Sequence, residues 1–249
     1  MRLLAVSAIV IVAAGAAISI EASPRKAGVT AAECRGTTGR PTTLLRDGLR
    51  RSKRPLFRLR RLARGLSQPV YVATTPSEPT RLYVVEKRGR VRILQRRRLL
   101  PTPFLDLRSS VRTRGEEGLL SIAFHPRYAA THLVYAAFDD RRGDVNLVEY
   151  RTSGGRVVPS TAHRIFLVDK LEGVTWHNGG QLQFGRDGKL YFSTGDSAHT
   201  PLDDEPSRIT DPNNQAQNLS TPYGKLLRIE VDAATPAVTT IAYGLRNPW

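Results

Sequence analysis

The chain has 249 residues, of which 40% are hydrophobic and 24% are charged, and its formal net charge is +16 at pH 7. This is the composition of a folded protein, and it excludes wholesale disorder. The single cysteine, Cys34, excludes an internal disulfide, a cysteine-ligated zinc site and a covalently attached c-type haem, so any redox chemistry needs a non-covalent cofactor.

Residues 1–23 are typical of an export signal. Arg2 supplies a positive start, residues 3–20 are an apolar run, and Glu21, Ala22 and Ser23 provide the polar, small-residue end. The apolar run is also just long enough to span a bilayer, so an uncleaved N-terminal anchor is the alternative. We therefore expect an exported protein, periplasmic or extracellular.

Residues 24–65 form a basic segment. They hold 13 Lys and Arg against Glu33 and Asp47, a net +11 that leaves only +5 for residues 66–249. Phe57 is the single aromatic residue of this segment, whereas proteins that bind single-stranded nucleic acid use several stacking rings. We expect a solvated tether or a membrane-surface contact here rather than nucleic-acid binding.

From residue 66 onward, short β-rich runs alternate with turns. Hairpins are predicted over residues 81–94, 133–150 and 181–194, and no long stretch has a helical period. The strands beginning at Leu82, Val134 and Leu190 are 52 and 56 residues apart, and a weaker match at Ala242 lies 52 residues further on.

This spacing predicts an all-β fold. A repeat of about 50 residues with about four strands is the signature of a β-propeller blade, although a β-sandwich with chance spacing is the alternative. Residues 66–249 correspond to about three and a half four-stranded blades, while closed propellers have about 4 to 8. We therefore expect the N-terminal part of a propeller domain.

The densest polar cluster spans residues 176–196. A hairpin turn centred between Arg186 and Asp187 places His177 opposite Asp196 at the same end of the strand pair. A carboxylate beside an imidazole fixes its tautomer, which suits a general base that removes a hydroxyl proton. A capping hydrogen bond between two loops is the alternative interpretation of this pair.

Five motifs occur in order between Gly65 and Trp249. They cover residues 81–91, 115–126, 177–196, 217–229 and 243–249. In this order, they resemble the soluble aldose sugar dehydrogenases that use pyrroloquinoline quinone (PQQ), which form the glucose/sorbosone dehydrogenase family of six-bladed propellers.

The resemblance implies oxidation of an aldose at C1 to its lactone, with hydride transfer to the quinone. His177 matches the residue that takes the C1 hydroxyl proton, and Asp196 matches the residue that orients it. Arg246 matches a residue at the reacting edge of the cofactor, and Asn247 matches one that hydrogen-bonds the cofactor. A loop-closing hydrogen-bond pair is the alternative interpretation of Arg246 and Asn247.

Two positions depart from the family pattern. Glu116 stands where glucose-oxidising members place a Gln against substrate or cofactor, and Trp176 precedes the matched histidine where some members have an acidic residue. Glu116 can accept a sugar hydroxyl, but it adds a negative charge beside a tricarboxylated quinone. The alternative function is therefore a non-catalytic propeller that binds carbohydrate or protein.

The resemblance also implies Ca²⁺ and a separate electron acceptor. The calcium ligands are unknown from sequence: Asp203, Asp204, Glu205 and residues 211–215 supply oxygen ligands, but a solvated acidic loop explains them more simply. Family members continue for several blades beyond the motif at residues 246–248. We expect residues 1–249 alone neither to bind the quinone tightly nor to turn over.

Overall fold

A computed structural model describes residues 9–13, 16–21, 58–170, 173–197 and 213–249. These residues form antiparallel strands almost throughout, and the only α-helix among them is the single turn α1 (Tyr128–Thr131). The strands make four sheets. The all-β prediction is confirmed.

The first sheet is small and lies before the repeats. Its strands, in order, are β1 (Ile9–Ala13), β2 (Ala16–Glu21) and β3 (Arg58–Arg61). They fall in the predicted export signal and at the end of the predicted tether, and most of these two segments lies outside the described residues. Within the described part of the chain, no helix has the length and hydropathy needed to cross a membrane.

The second sheet contains the first predicted hairpin. Its strands are β4 (Pro69–Ala73), β5 (Arg81–Glu86), β6 (Arg90–Gln95) and β7 (Arg98–Leu99), paired in chain order, and β8 (Leu105–Asp106) also pairs with β6. On β5, Tyr83 and Val85 enter one apolar core and Val84 enters another. Successive side chains of a strand point to opposite faces, so this sheet is covered on both sides.

The third sheet contains the second predicted hairpin. Its strands are β9 (Leu119–Phe124), β10 (Leu133–Asp139), β11 (Val145–Ser153) and β12 (Arg156–Val168), again in chain order. On β10, Val134, Ala136 and Phe138 pack into the core shared with the second sheet, while Tyr135 and Ala137 pack into the next core. The strict alternation places this sheet between two neighbours.

The fourth sheet contains the third predicted hairpin. Its strands are β13 (Gly179–Phe184), β14 (Leu190–Thr194), β15 (Leu226–Glu230) and β16 (Ala237–Ala242), in chain order. Leu82, Val134 and Leu190 lie in the second strands of their sheets, as the repeat predicts. Ala242 instead ends the outer strand of the fourth sheet, so this fourth match was wrong: the long β14–β15 connection shifts the repeat.

The second, third and fourth sheets pack side by side around their first strands. The Tyr83 ring lies 4.7 Å from that of Phe104 and 4.6 Å from that of Phe124, which joins the second and third sheets. Gln181 Nε2 donates a 3.1 Å hydrogen bond to the Tyr71 hydroxyl and so links β13 to β4. Two four-stranded sheets and one four-stranded sheet with the short extra strand β8, in this arrangement, are blades of a propeller, which confirms the predicted architecture.

The loops that matter for function gather at one edge of the third and fourth sheets. Neighbouring strands are antiparallel, so the ends of β10, β12, β14 and β16 lie at the same edge as the starts of β9 and β13. The described loop segments next to these strand ends are residues 115–118, 140–144, 169–170, 173–178, 195–197 and 243–249. All five predicted site residues lie in these loops.

Candidate active site

The predicted histidine and aspartate are in contact. His177 Nδ1 lies 2.7 Å from Asp196 Oδ1, and the two side chains are 2% and 7% exposed. A carboxylate only accepts hydrogen bonds unless it is protonated, so Nδ1 carries the proton in this contact. In the neutral imidazole the lone pair is then on Nε2, the nitrogen that can accept a proton.

A β-bulge in β13 places His177 opposite Asp196. Near the turn, Phe184 pairs with Leu190 and Leu182 pairs with Phe192, so the hairpin is centred on Asp187, half a residue beyond the predicted centre. The register then shifts between Gly179 and Leu182, where two residues of β13 face one of β14. The shift restores the predicted register at the end of the hairpin, where the His177–Asp196 pair lies.

Glycines let the two loops approach closely. A Cβ atom on Gly195 would lie 1.7 Å from the carbonyl oxygen of His177, and one on Gly179 would lie 2.6 Å from the Gly195 nitrogen. His177 itself has a φ of +53°, in the left-handed region that non-glycine residues rarely adopt. Such strain costs on the order of 1–3 kcal/mol and tends to occur at functional sites.

The remaining predicted site residues join the same network. The Asp196 N–H donates to the Arg246 carbonyl (2.8 Å), and the Gly179 N–H donates to Asn247 Oδ1 (3.0 Å). Glu116 Oε2 accepts hydrogen bonds from the His177 N–H (2.9 Å) and from Asn247 Nδ2 (3.0 Å).

Arg246 and Glu116 differ in their exposure to solvent and in their hydrogen bonds. The Arg246 side chain is exposed, and its guanidinium makes no hydrogen bond to any described residue. Glu116 is half-buried, and its recorded contacts tie the His177 loop to Asn247. Thus Arg246 has an exposed side chain on a backbone that bonds to Asp196, while Glu116 connects three loops.

A buried ionic cluster next to the site was not predicted. Lys170 Nζ lies 2.5 Å from Asn178 Oδ1, 3.1 Å from Asp139 Oδ1 and 3.4 Å from Glu117 Oε1, and Arg112 Nε donates to Glu117 Oε2 at 2.7 Å. Burial raises the pKa of Asp139 to about 7, against the opposing effect of the Lys170 charge. No local sequence signal could have found this cluster, because Lys170 lies 31 residues from Asp139 and 53 residues from Glu117 along the chain.

Metal binding is not decided by the described residues. No group of three or more His, Cys, Asp or Glu side chains within them is arranged to hold a metal ion. The acidic residues considered from sequence, Asp203, Asp204, Glu205 and Asp211, lie outside the described residues. The expected calcium site therefore stays a prediction.

Comparisons with known proteins agree with this fold. Residues 66–248 match the family model described as Glucose / Sorbosone dehydrogenase. The human Hedgehog-interacting protein is 32% identical over 199 residues, which cover 74% of this chain and 27% of that protein.

Two solved structures are also similar. One is a PQQ-bound aldose sugar dehydrogenase from Streptomyces coelicolor (28% identity, TM-score 0.58, 76% of this chain and 54% of that chain). The other is a putative oxidoreductase (glucose dehydrogenase) from Thermus thermophilus (27% identity, TM-score 0.60, 76% and 56%). The chain therefore spans about a quarter of the human relative and just over half of each solved structure. The family match covers most of the chain and confirms the resemblance: this protein belongs to the glucose/sorbosone dehydrogenase family.

Proposed function

We propose that the protein is a quinone-dependent dehydrogenase that oxidises an aldose at C1 to its lactone. The observation that carries this proposal is the buried 2.7 Å contact between His177 Nδ1 and Asp196 Oδ1. Family membership and the likeness to a PQQ-bound aldose sugar dehydrogenase support it.

The His177–Asp196 pair has the arrangement of a general base. Asp196 accepts a hydrogen bond from the Nδ1–H group, which stays protonated, and so leaves the Nε2 lone pair of His177 to take the proton of the C1 hydroxyl. When the imidazole becomes positively charged, the Asp196 carboxylate stabilises that charge at short range in a buried setting. Removal of the hydroxyl proton makes C1 a better hydride donor.

The residues present fit one edge of the quinone. PQQ, when bound, supplies an electrophilic carbon that accepts the hydride from the sugar. The exposed Arg246 guanidinium would hold and stabilise an anionic oxygen, and Asn247 would contribute the second N–H of its amide, because the first donates to Glu116. Glu116 would act here by holding the His177 loop and Asn247, since its recorded hydrogen bonds are made to them.

Membership of the family is also the basis for proposing a second cofactor and an electron acceptor. We propose Ca²⁺ as a second cofactor and a separate protein or small-molecule electron acceptor. We also propose export across the cytoplasmic membrane, on the signal-like pattern of residues 1–23, with the basic residues 24–65 contacting a membrane surface.

The test is turnover by the full-length protein reconstituted with PQQ and Ca²⁺. Dye reduction is measured with a panel of aldoses, and lactone formation is followed in parallel. His177→Ala should abolish most of the quinone-dependent rate while PQQ still binds. His163→Ala, which alters an exposed histidine on β12, is the matched control and should retain the rate.

A second candidate function is a propeller that binds carbohydrate or protein without turnover. The similarity to the human Hedgehog-interacting protein, whose name describes a binding partner, favours this candidate. It is distinguished in the same experiment: a binding module has no quinone-dependent rate with any aldose, and His177→Ala then changes nothing. Sugar binding measured by calorimetry without PQQ would support it.

A further inference from the structure

The Lys170 ammonium lies in the interior beside the loop that carries His177. Its side chain is 2% exposed, and Nζ reaches Asn178 Oδ1 (2.5 Å), Asp139 Oδ1 (3.1 Å) and Glu117 Oε1 (3.4 Å). An ammonium group has three N–H donors, so these three acceptors account for all of them. The geometry therefore fixes the position of Nζ and of the groups around it.

The charges of this cluster balance. Glu117 and Asp139 are fully buried, and when Asp139 is ionised, Lys170 and Arg112 supply two positive charges against their two negative ones. Buried charges are retained only when they are paired and hydrogen-bonded, because each loses its hydration. Backbone groups add further ties, since the Gly118 N–H donates to Asp139 Oδ2 at 2.9 Å.

Two consecutive acidic residues, Glu116 and Glu117, hold the His177 loop, the first directly and the second through Lys170. Glu116 accepts the backbone N–H of His177 directly at 2.9 Å. Glu117 acts on the next residue, because it helps to hold Lys170, which donates to the Asn178 side chain. Asn178 is 1% exposed, and its amide also points at the Thr175 carbonyl at 3.4 Å. The strained backbone of His177 is thus held at its own N–H and at the following residue, Asn178.

We infer that Lys170 is a positioning residue for proton transfer: by holding Asn178, it keeps the His177 imidazole aligned with Asp196. This inference rests on the proposed role of His177 as the base. Lys170 does not touch the reacting atoms; it acts through the loop. Loss of the Lys170–Asn178 hydrogen bond frees the loop to relax from the left-handed conformation at His177, which displaces Nδ1 from Asp196.

A purely structural role for the cluster makes a different prediction. In that case Lys170 serves only to neutralise Asp139 and Glu117, and replacing Lys170 and Asp139 together by neutral residues leaves the site intact. The double variant Lys170→Met/Asp139→Asn distinguishes the positioning role from the purely structural role. It leaves the charges of Arg112 and Glu117 balanced but removes the hydrogen bond to Asn178. Lys189→Met, which alters a partly exposed lysine in the hairpin formed by β13 and β14, is the matched control.

The first readout is the Nδ1 proton of His177, observed by NMR in the full-length protein without quinone. In the wild type it should give a downfield resonance protected from exchange, assigned by its loss in Asp196→Asn. In the double variant we expect a melting temperature close to that of the wild type together with loss or exchange broadening of this resonance. Retention of the resonance in the folded double variant would overturn the inference.

The second readout is turnover. A small displacement of a catalytic group lowers kcat by about 10- to 100-fold, and KM should stay within about twofold because ground-state sugar contacts are untouched.

If the double variant does not fold, Asn178→Ala provides the test, since it leaves all four charges in place and makes room for a water at Nζ. A wild-type resonance and wild-type kcat in Asn178→Ala would equally overturn the inference. If the wild type itself oxidises no sugar, the proposed function fails, and the resonance alone decides the positioning role.

Discussion

In the proposed mechanism, the carboxylate of Asp196 has two effects on His177: it selects the tautomer with the lone pair on Nε2, and its charge stabilises the imidazolium. Asp196→Asn removes the charge and introduces an N–H donor that can force the opposite tautomer. We expect kcat to fall by about 10²- to 10⁴-fold, with little change in quinone binding. Steady-state kinetics and a PQQ titration measure the two effects, and an unchanged kcat would show that His177 needs no carboxylate partner.

Gly195 is required by the close approach of the two site loops. A Cβ atom there would lie 1.7 Å from the His177 carbonyl oxygen, a backbone atom that cannot rotate away. Gly195→Ala should therefore lower the free energy of unfolding by at least about 1–3 kcal/mol and weaken the His177–Asp196 contact.

The matched control for Gly195 is in the same hairpin. Gly188 has a φ of +75° but open space around its Cβ position, so Gly188→Ala adds only left-handed strain of about 1–2 kcal/mol. Denaturant unfolding gives both free energies, and the NMR resonance of the His177 Nδ1 proton reports on the site. Gly188→Ala should leave the resonance in place; an equal effect of the two substitutions on the resonance would contradict the packing argument.

At the scale of strands, local patterns predicted most of the fold. Short apolar, β-rich runs bounded by turn residues identified all three hairpins, because a strand covered on both faces is apolar at successive positions. The bulge between Gly179 and Leu182 was not predicted, since a register shift depends on how two strands meet. The His177–Asp196 pair was nevertheless predicted, because the half-residue error at the turn and the bulge offset each other.

The ionic cluster shows what sequence could not supply. Glu117, Asp139 and Lys170 come from the ends of three different strands, and their partners are 31 and 53 residues apart along the chain. No local spacing encodes such contacts; the antiparallel pairing of β9 to β12 brings these strand ends to one edge of the third sheet. For the same reason the sequence could not show that Glu116 bonds to the His177 backbone.

The aromatic contacts between the second and third sheets should carry much of the stability. Phe124 is buried and packs against both Tyr83 and Tyr128. Phe124→Ala should lower the free energy of unfolding by about 3–5 kcal/mol, because it removes apolar contacts and leaves a cavity.

The control for this substitution is Val238→Ala on the outer strand β16, where the side chain is 38% exposed. Surface changes of this kind usually stay within about 0.5 kcal/mol. Urea unfolding of both variants measures the difference. A small effect of Phe124→Ala would mean that the two sheets do not depend on each other for stability.

For the molecule as a whole, Asp139 links stability to pH. Its pKa rises from 3.8 to about 7 on folding, mainly because of burial, so between these values the folded state binds more protons than the unfolded state. The contribution of this group to the free energy of unfolding therefore decreases as the pH rises from about 4 to 7. Asp139→Asn removes this dependence.

The difference between the wild type and Asp139→Asn is the quantity to measure. Urea unfolding at several pH values between about 4.5 and 7 should show the wild type losing stability relative to the variant as the pH rises. The comparison cancels the titration of groups that both proteins share. Parallel pH profiles would mean that Asp139 ionises in the folded protein with its ordinary pKa.

The assembly of the site also has a consequence at this scale. The His177–Asp196 pair, Glu116 and residues 246–247 come from loops of two blades and from the segment after β16, which meet at one edge of the sheets. The chain spans just over half of the solved sugar dehydrogenases it resembles. Quinone binding and turnover are therefore to be measured on the full-length protein.

The most direct test of the account is single-turnover reduction of bound PQQ by an aldose, followed by the absorbance of the quinone in the absence of any electron acceptor. The account predicts rapid sugar-dependent reduction in the wild type and a rate about 10²- to 10⁴-fold lower in His177→Ala, with PQQ bound in both proteins. Reduction at the same rate in His177→Ala, or quinone that binds but is reduced by no aldose in the wild type, would contradict it.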